Sequence, residues 1–531
     1  MLRADQESAQ RAETLQDFTL KVFMDAMDLI EHGRKAPEWA IEQLWLTEGT
    51  FGLKGRRRAH PVLLAWTEEA VQRFVAAREA DQQARQSAGL PPTHPVTDKW
   101  VVGKDPGQID SRGADTYEAT AWGRRYVARD GSTRDLWLLS FGATKEDRPK
   151  AEKAAAAFVA ARGMPAKGGW KARHTPVPAG SLHPGRTSAP ERVRVIEFGC
   201  GVGTSATLLD WDRATAHQRF ASDAWPALIR AIDDTRALPG SSCVDCKALS
   251  GCGALARSPG LLQITPTGPK RARRSVSVTD LRSYRDCPAK YHATRQLKLR
   301  SAQPESSEIR RGRAVDSWLN ERHGTHPHDG CRDLPGPADP SSWNVGGLHL
   351  VGKEAEDGAA MLEQHAYVCP LNGLGPGELV RVQHQVACFD PELDLVLIAT
   401  PDLLYTRSGS WVWWEMKTAN SRLYEGEPLM ARYPQLAMGV LMLAAGVLGG
   451  NIARSRVELE LLHCDDLTLE ELDPSRPRVV SEAREVIAAL ARPWAEDQLY
   501  PATPGRSCRS CEARNWCRSG RDHLAAATEE S

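Results

Sequence analysis

Residues 396–420 read VLIATPDLLYTRSGSWVWWEMKTAN and predict two neighbouring strands joined by a turn. An apolar run precedes Asp402, and a second apolar run carries Glu415 and Lys417, which stand two residues apart. Side chains at i and i+2 of a strand point to the same face, so Glu415 and Lys417 project together. The turn-forming TRSGS segment folds the second strand back on the first and brings Asp402 alongside them. The sequence therefore predicts that two carboxylates and an ammonium group converge.

This set of side chains suits the hydrolysis of phosphodiesters. Carboxylate oxygens hold Mg²⁺ or Mn²⁺, and such an ion polarises a phosphate and activates bound water. The ammonium group of Lys417 can help to activate that water or stabilise the developing negative charge. An E-x-K triplet alone has a simpler explanation, because charged residues alternate on the exposed face of many strands. The hypothesis therefore depends on what surrounds the triplet.

Four cysteines enclose this region in the sequence. Cys287 lies in the string SYRDCPAKY, and Cys508, Cys511 and Cys517 follow with C-x2-C-x5-C spacing near the C-terminus. If all four bind one iron–sulfur cluster, they connect the two ends of a domain. A zinc site or simply buried thiols are the alternatives, but zinc ligands more often come as two close pairs. The spacing favours a structural [4Fe–4S] cluster.

With these cysteines around it, the region resembles the PD-(D/E)XK nuclease superfamily, specifically its iron–sulfur branch. That branch contains the RecB- and AddB-type nuclease domains and the CRISPR-associated adaptation nucleases. Pro401-Asp402 and Glu415-Met416-Lys417 match the motif that names the superfamily. The opening helix of the branch, S-x-T-x-L-x-x-Y-x-x-C-P-x-x-Y, is matched by Ser277, Thr279, Leu281, Tyr284, Cys287, Pro288 and Tyr291.

The resemblance also implies roles for residues outside the hairpin. Gln435 matches a glutamine that helps to orient the metal site or the scissile strand. An early helix of the branch presents G-x-x-x-H with a metal-binding histidine, whereas this chain has Asp316 four residues after Gly312. Aspartate is itself a good ligand for Mg²⁺ or Mn²⁺. The implied catalytic and metal-binding residues are Asp316, Asp402, Glu415, Lys417 and Gln435.

The cysteine pattern occurs twice in the chain. PGSSCVDCKALSGC ends at Cys252, and PGRSCRSCEARNWC ends at Cys517. Each is preceded by a similar predicted strand, RVRVIEFGC ending at Cys200 and RVELELLHC ending at Cys464. This internal similarity predicts a duplicated unit.

The first copy lacks the chemistry of the second. In its candidate strand DLWLLSFGATKED, Ser140 and Gly142 stand where the carboxylate and the lysine are needed. Neither can bind Mg²⁺ usefully or activate water. The cysteines of the first copy form an incomplete set unless Cys200 joins them, which gives a possible second metal cluster of Cys200, Cys243, Cys246 and Cys252. The first half is therefore predicted to be a degenerate domain that positions DNA or contacts a partner.

A glycine-rich segment at residues 193–209, VRVIEFGCGVGTSATLL, offers an alternative function for the first half. It resembles the first motif of S-adenosylmethionine-dependent methyltransferases, in which Glu197, Gly199, Gly201 and Gly203 would hold the cofactor. A doubly wound sheet needs several more strand and helix units after such a turn than the chain has before the next cysteines. The duplication explains the segment without a cofactor.

Composition sets further limits. The chain has 531 residues, too many for one core, and Lys plus Arg, at 68, equals Asp plus Glu, at 68. No global positive field therefore indicates a nucleic-acid partner, although basic clusters at 270–274 and 309–313 can contact phosphates or be ordinary solvated segments. The polar, Gly- and Pro-rich stretch at 323–343 predicts a surface insertion, in which His323, His326 and His328 either bind metal or belong to a flexible loop.

The chain is predicted to be a cytoplasmic protein without a membrane segment. MLRADQESAQ has no apolar core of a signal peptide, and the apolar run 436–450 is too short for a bilayer. The 12 cysteines, in the absence of a signal peptide, indicate a reducing compartment where thiolates bind metal.

These features predict a mixed α/β protein in two parts. Residues 1–268 would form the degenerate duplicated α/β domain, residues 275–520 a restriction-endonuclease-like core with flanking helices and the iron–sulfur cluster, and residues 521–531 a disordered tail. The predicted function is a metal-dependent DNA nuclease in repair, recombination or defence. Because the sequence has no G-x-x-x-x-G-K-[ST] motif, any helicase would be a separate subunit. The rival hypothesis is a non-catalytic DNA-binding or scaffold protein with a decayed nuclease fold.

Overall fold

A computed structural model of the chain describes residues 15–46, 58–103, 118–145, 147–168, 174–177, 190–265, 271–299, 306–334, 336–419, 423–424 and 426–529. The described part of the chain forms two compact units. The first unit comprises residues 14–236, 289–302 and 502–531, and the second comprises residues 237–288 and 303–501.

The chain is mixed α/β, which confirms the predicted fold class. Its helices are α1 (Thr19–Glu31), α2 (Pro37–Trp45), α3 (Pro61–Ser87), α4 (Lys150–Arg162), α5 (Arg213–Arg219), α6 (Trp225–Asp233), α7 (Val278–Asp286), α8 (Pro288–Tyr291), α9 (Ser307–Thr325), α10 (Lys353–Val368), α11 (Leu429–Arg432), α12 (Pro434–Ala444), α13 (Pro477–Glu496) and α14 (Arg518–Glu529). Its strands are β1 (Thr93–Pro95), β2 (Lys99–Gly103), β3 (Glu118–Thr120), β4 (Arg124–Ala128), β5 (Thr133–Ser140), β6 (Met164–Gly168), β7 (His174–Pro176), β8 (Arg192–Gly199), β9 (Thr204–Asp212), β10 (Ala256–Arg257), β11 (Arg274–Ser277), β12 (Ser342–Val345), β13 (Leu348–Val351), β14 (Val380–Val382), β15 (Val386–Asp390), β16 (Leu395–Ala399), β17 (Leu403–Arg407), β18 (Ser410–Thr418), β19 (Arg456–Leu462) and β20 (Leu467–Leu472).

The division into units differs from the linear boundary at residues 268–275 that the sequence predicts. The cysteine segment 243–252 belongs to the second unit, and the cysteine segment 508–517 belongs to the first. The earlier segment packs against buried Phe389 of the second unit, and Trp516 of the later segment joins the apolar core of the first. Burial of apolar surface, which does not follow chain order, therefore sets the boundary.

The main sheets of the two units have the same topology. The strand order is β1-β4-β5-β8-β9 in the first unit and β14-β17-β18-β19-β20 in the second. In each sheet the third and fourth strands of this order are parallel, and the other neighbours are antiparallel. The chain between the third and fourth strands contains a longer helix in both cases, α4 in one and α12 in the other. This correspondence supports the duplication that the cysteine pattern predicts.

The sheet register corrects the predicted counterparts of the catalytic residues. Strands β8 and β19 align through their similar sequences, so Val195 corresponds to Leu459. Val195 pairs with Leu136, and Leu459 pairs with Glu415. The positions of Glu415 and Lys417 are therefore occupied by Leu136 and Leu138, and not by Ser140 and Gly142. Both leucines are buried in an apolar core with α4, which leaves this strand without the catalytic side chains at those positions.

The glycine-rich segment after β8 forms a hairpin turn and not a cofactor-binding turn. The Gly203 N–H donates to the Gly199 carbonyl at 2.7 Å, and β9 returns antiparallel to β8. Glu197 is fully buried, where it accepts a hydrogen bond from Arg148 Nε at 2.5 Å and contacts Ser140. The methyltransferase motif leads from a strand into a helix. The methyltransferase hypothesis is therefore wrong.

Two further predictions concern helices. Helix α14 extends to Glu529, so the segment predicted as a disordered tail from residue 521 is helical over most of its length. The apolar run that begins at Leu436 lies largely in α12, which is buried. Within the described ranges, no helix has both the length and the apolar character that a bilayer crossing requires.

Candidate active site

Strands β17 and β18 form the hairpin that the sequence predicts. They pair antiparallel, with Arg407 opposite Ser410. The two residues between them, Ser408 and Gly409, have φ angles of 51° and 71°. Left-handed conformations at both positions are typical of a tight two-residue hairpin turn. The turn returns β18 alongside β17, so that its end lies next to Asp402, which precedes β17.

Asp402, Glu415 and Lys417 meet at this end of the hairpin. Lys417 Nζ lies 3.0 Å from Asp402 Oδ2 and 3.1 Å from Glu415 Oε2. The Met416 N–H donates to Asp402 Oδ2 at 2.8 Å, and Trp413 Nε1 donates to Glu415 Oε1 at 3.0 Å. These donors fix the orientation of both carboxylates. The structure thus brings the two carboxylates and the ammonium group together.

Asp316 reaches the same site from helix α9. Gln383 Nε2 donates to Asp402 Oδ1 at 3.1 Å and lies 3.5 Å from Asp316 Oδ1. Asn320 Nδ2 donates to Asp316 Oδ2 at 3.0 Å. Sequence reasoning missed Gln383 and Asn320. Asn320 stands one helical turn after Asp316, a spacing that could have indicated it, whereas Gln383 has no local signal.

Gly312 explains how α9 comes close enough to the sheet. A Cβ atom at this position would lie 2.7 Å from Thr418 Oγ1, at the end of β18. A side chain here would therefore force either the Thr418 side chain or the helix to shift. Asp316 follows one turn later on the same face of α9. The G-x-x-x-D spacing thus couples a close helix–strand approach to the position of a carboxylate.

Gln435 lies in the first turn of α12, which packs against β18. Its Oε1 atom is buried and has no hydrogen-bond partner among the described residues. A buried amide oxygen without a donor is costly, and a bound ligand or water is one way to satisfy it. Its role at the site stays a prediction.

The electrostatics of the site favour a bound cation. Burial, followed by the charge of Asp402, raises the pKa of Asp316 to about 6. Burial also raises the pKa of Glu415. For Lys417, burial lowers the pKa, but the neighbouring carboxylates outweigh it and the net pKa is raised. Three carboxylates with one lysine leave an excess of negative charge, and their oxygens are the ligands that Mg²⁺ and Mn²⁺ prefer.

We expect Mn²⁺ to raise the melting temperature more at about pH 7.5 than at about pH 5. The folded-state pKa of Asp316 lies above its ordinary value of 3.8, so folded protein binds this proton more tightly than unfolded protein. The contribution of protonated Asp316 to the free energy of unfolding is therefore present at low pH. It is lost as the pH rises through about 6, because the ionised carboxylates then repel each other. A divalent cation would offset that repulsion. Thermal unfolding with and without Mn²⁺ measures the difference.

The Asp316→Asn variant is the control for this experiment. It removes the titrating carboxyl but keeps its shape, so the pH dependence of the Mn²⁺ effect should shrink. An Mn²⁺ effect with the same pH dependence in the variant would show that Asp316 is not part of the cation site.

The arginines of the predicted basic clusters have partners within the second unit. Arg310 Nε donates to Glu354 at 2.8 Å, and Arg311 lies 3.2 Å from Asp357. These acidic partners offset the positive charge of this part of α9. The cluster at 270–274 is also paired: Arg271 contacts the Asp497 carbonyl, Arg273 contacts Asp394, and Arg274 contacts the Trp494 ring. Lys270 lies outside the described residues.

The C-terminal cysteines lie on or directly after two short 3₁₀ turns, Arg506–Ser510 and Arg514–Trp516. The Gly505 N–H donates to Cys508 Sγ at 3.4 Å. A Cβ atom at Gly520 would lie 3.5 Å from Cys517 Sγ and 3.6 Å from Cys508 Sγ, so these two sulfur atoms flank the glycine. Cys287 ends α7 in the second unit, whereas these cysteines belong to the first. The four-cysteine cluster stays a prediction.

The earlier cysteines adopt the same backbone conformation. Cys243, Cys246 and Cys252 lie on or next to 3₁₀ turns, and the Gly240 N–H donates to Cys243 Sγ at 3.4 Å. Cys200 is buried in the apolar core of the first unit, where desolvation raises the pKa of its thiol. The structure does not bring Cys200 and the other three together within one unit. The apolar surroundings of Cys200 also oppose a thiolate ligand.

A comparison with protein families agrees with this geometry. Residues 275–518 match the model of the PD-(D/E)XK nuclease superfamily. The matched segment contains Asp316, Asp402, Glu415, Lys417 and Gln435. Members of this superfamily are generally nucleases that cleave phosphodiester bonds, and they typically use divalent metals. The mixed α/β fold of the chain is consistent with the core of that superfamily. No curated protein matches the chain.

Proposed function

We propose that the second unit is a divalent-metal-dependent nuclease that hydrolyses phosphodiester bonds in DNA. The observation that carries this proposal is the contact of Lys417 Nζ with both Asp402, at 3.0 Å, and Glu415, at 3.1 Å. These residues lie within the segment that matches the nuclease superfamily. A site that had lost its function would not be expected to keep the three side chains in contact and oriented by dedicated donors.

Each residue has a separate task in this proposal. Asp402, Glu415 and Asp316 would hold Mg²⁺ or Mn²⁺. When bound, the cation supplies positive charge that polarises the phosphate and lowers the pKa of water. Lys417 holds the attacking water or donates to the negative charge that develops on the phosphate. Gln435 would orient the scissile strand with its buried amide.

We further propose that the protein belongs to the iron–sulfur branch with RecB- and AddB-type nuclease domains. Cys287, Cys508, Cys511 and Cys517 would bind a [4Fe–4S] cluster with a structural role. The support is the spacing and the N–H donor at Cys508 Sγ, since hydrogen bonds to the sulfur atoms are common at such clusters. That branch suggests DNA repair, recombination or defence, with unwinding supplied by a separate helicase subunit.

The rival proposal is a DNA-binding or scaffold protein without activity. The burial of Leu136 and Leu138 supports a loss of catalysis in the first unit. This argument for a loss of catalysis does not extend to the second unit, where the carboxylates and the lysine are in contact. The first unit would then serve to position DNA or contact a partner.

The test is a cleavage assay with anaerobically purified full-length protein. Single- and double-stranded DNA, each linear and circular, are incubated with Mn²⁺, with Mg²⁺ and with chelator. Metal-dependent loss of the linear substrates alone would indicate an exonuclease, and cleavage of circles an endonuclease. No cleavage of any substrate by protein that keeps a brown iron–sulfur chromophore would favour the DNA-binding or scaffold function.

A further inference from the structure

The second unit contains a buried group of two histidines and two cysteines that the nuclease proposal does not use. One ligand atom each of His323, Cys331, His365 and Cys369 lies within 4.8 Å of all the others. The four residues are at most 3% exposed. His323 Nε2 lies 3.3 Å from Cys331 Sγ and 3.5 Å from Cys369 Sγ. Such a cluster of soft and borderline ligands is unusual in an otherwise apolar core.

Two distances between the ligand atoms fit one tetrahedral ion. Zinc binds thiolate sulfur at about 2.3 Å and imidazole nitrogen at about 2.0 Å. A tetrahedron with these bonds separates its ligand atoms by about 3.3–3.8 Å. The two nitrogen–sulfur distances that His323 makes agree with this range. No carboxylate belongs to the group, so the donor set is unlike the oxygen-rich nuclease site and selects against Mg²⁺ and Mn²⁺.

A second observation concerns the orientation of His365. Its Nδ1 lies 3.0 Å from both carboxylate oxygens of Glu460, and both residues are fully buried. Its Nε2 is buried without a hydrogen-bond partner among the described residues. With its Nδ1 bound to Glu460, His365 has Nε2 as the ring nitrogen that it can offer to a metal ion. This carboxylate–histidine arrangement recurs behind zinc-binding histidines.

We propose that His323, Cys331, His365 and Cys369 bind a structural zinc ion, with Glu460 orienting His365. The site joins the C-terminal ends of two helices, because His323 lies in the last turn of α9 and His365 near the end of α10. Four protein ligands leave no open position for substrate, which is typical of structural zinc.

The structure separates the histidines of the segment after α9. The sequence leaves His323, His326 and His328 either as metal ligands or as part of a flexible loop, but His323 is buried and Cys331, in the same segment, is fully buried. His326 instead pairs with Asp329 and is exposed. A bound ion would explain why a Gly- and Pro-rich segment buries a cysteine here.

The zinc site has a structural consequence for the active site. Asp316 precedes His323 by seven residues on α9, two helical turns along the same face. The rings of His323 and His365 contact Trp414, whose neighbour Glu415 points to the other face of β18. Zinc would thus fix the helix that carries one carboxylate and support the strand that carries another.

The experiment measures metal content in full-length protein that carries no histidine tag. Elemental analysis of protein purified without chelator should find about one zinc ion per chain, separately from any iron. Cys331→Ser and Cys369→Ser should each lose this zinc, and Cys388→Ser, which alters another fully buried cysteine, should keep it. Protein refolded with Co²⁺ in place of zinc should show the visible bands of a tetrahedral thiolate site.

A milder variant covers the case in which the cysteine variants fail to fold. Glu460→Gln keeps the ligands and should weaken zinc binding by about 10–100-fold in a competition with a chromogenic chelator. Asp402→Asn should retain full zinc content, so loss of cleavage and loss of zinc are separable. Zinc-free native protein with normal melting behaviour, or unchanged zinc in Cys331→Ser and Cys369→Ser, would overturn the proposal in favour of a metal-free hydrogen-bond network.

Discussion

Lys417→Ala should slow DNA cleavage by at least about 100-fold while leaving Mn²⁺ binding intact. The ammonium group contributes charge at 3.0 Å from Asp402 and 3.1 Å from Glu415, but it is not a metal ligand. Its removal takes away a donor for the attacking water or the phosphate, and it leaves both carboxylates in place. The effect should therefore fall on kcat more than on KM. Single-turnover cleavage measures the chemical step, and Mn²⁺-dependent thermal shifts on the same preparation measure metal binding.

Two other variants complete this experiment. Lys353→Ala removes a lysine that is 82% exposed on α10 of the same unit and should cleave like the native protein. Asp402→Asn should lose cleavage and Mn²⁺ stabilisation together, because it removes a proposed metal ligand. Native rates in Lys417→Ala, or equal losses in both lysine variants, would contradict the proposed site.

The hairpin with Asp402, Glu415 and Lys417 could be predicted because every signal for it is local. Alternation along β18 sets which side chains share a face, and the turn residues Ser408 and Gly409 set the partner strand. These rules act over a few residues, so the sequence was sufficient. The register of a parallel pair is different, because it depends on a strand far away in the chain.

That difference explains the wrong positions in the first unit. The sequence places Ser140 and Gly142, near the end of an apolar run, at the catalytic positions, whereas the parallel pairing with β8 puts Leu136 and Leu138 there. An error of four residues keeps every side chain on the same face of the strand, so alternation cannot detect it. The conclusion that this strand lacks the catalytic residues is unchanged.

Long-range groupings were the part that sequence could not supply. His323 and Cys331 are close in the chain, but His365 lies on the next helix and Cys369 directly follows it. In the sequence this H-x-x-x-C spacing looks like an ordinary helical face. Gln383 reaches the carboxylates from a loop after β14. The sequence also has no local signal for the unit to which each cysteine segment belongs. That assignment depends on which apolar surface the segment covers.

Asp135→Ala should destabilise the first unit by about 3–5 kcal/mol, the largest stability effect that we expect in the chain. Asp135 is fully buried on β5, where Arg194 donates to both of its carboxylate oxygens at 2.9 and 2.7 Å. Arg85 Nη1 lies 3.4 Å from the same carboxylate and is itself only 2% exposed. Removing the carboxylate leaves both guanidinium groups buried with less opposing charge. Hydrogen exchange in β5 and β8, followed by mass spectrometry, measures the loss of protection.

Asp210→Ala is the matched control for Asp135→Ala. Asp210 also receives two hydrogen bonds from an arginine, Arg192, but this pair is exposed on the neighbouring strands β8 and β9. Water screens such a pair, so its loss should cost less than about 1 kcal/mol. Equal losses of stability in the two variants would mean that burial of the ion pairs around Asp135 adds nothing to the stability of the first unit. The catalytic positions of the strand in the first unit hold only Leu136 and Leu138. If Asp135→Ala also slows cleavage while Asp402 and Lys417 are unchanged, the first unit therefore contributes to activity through its fold.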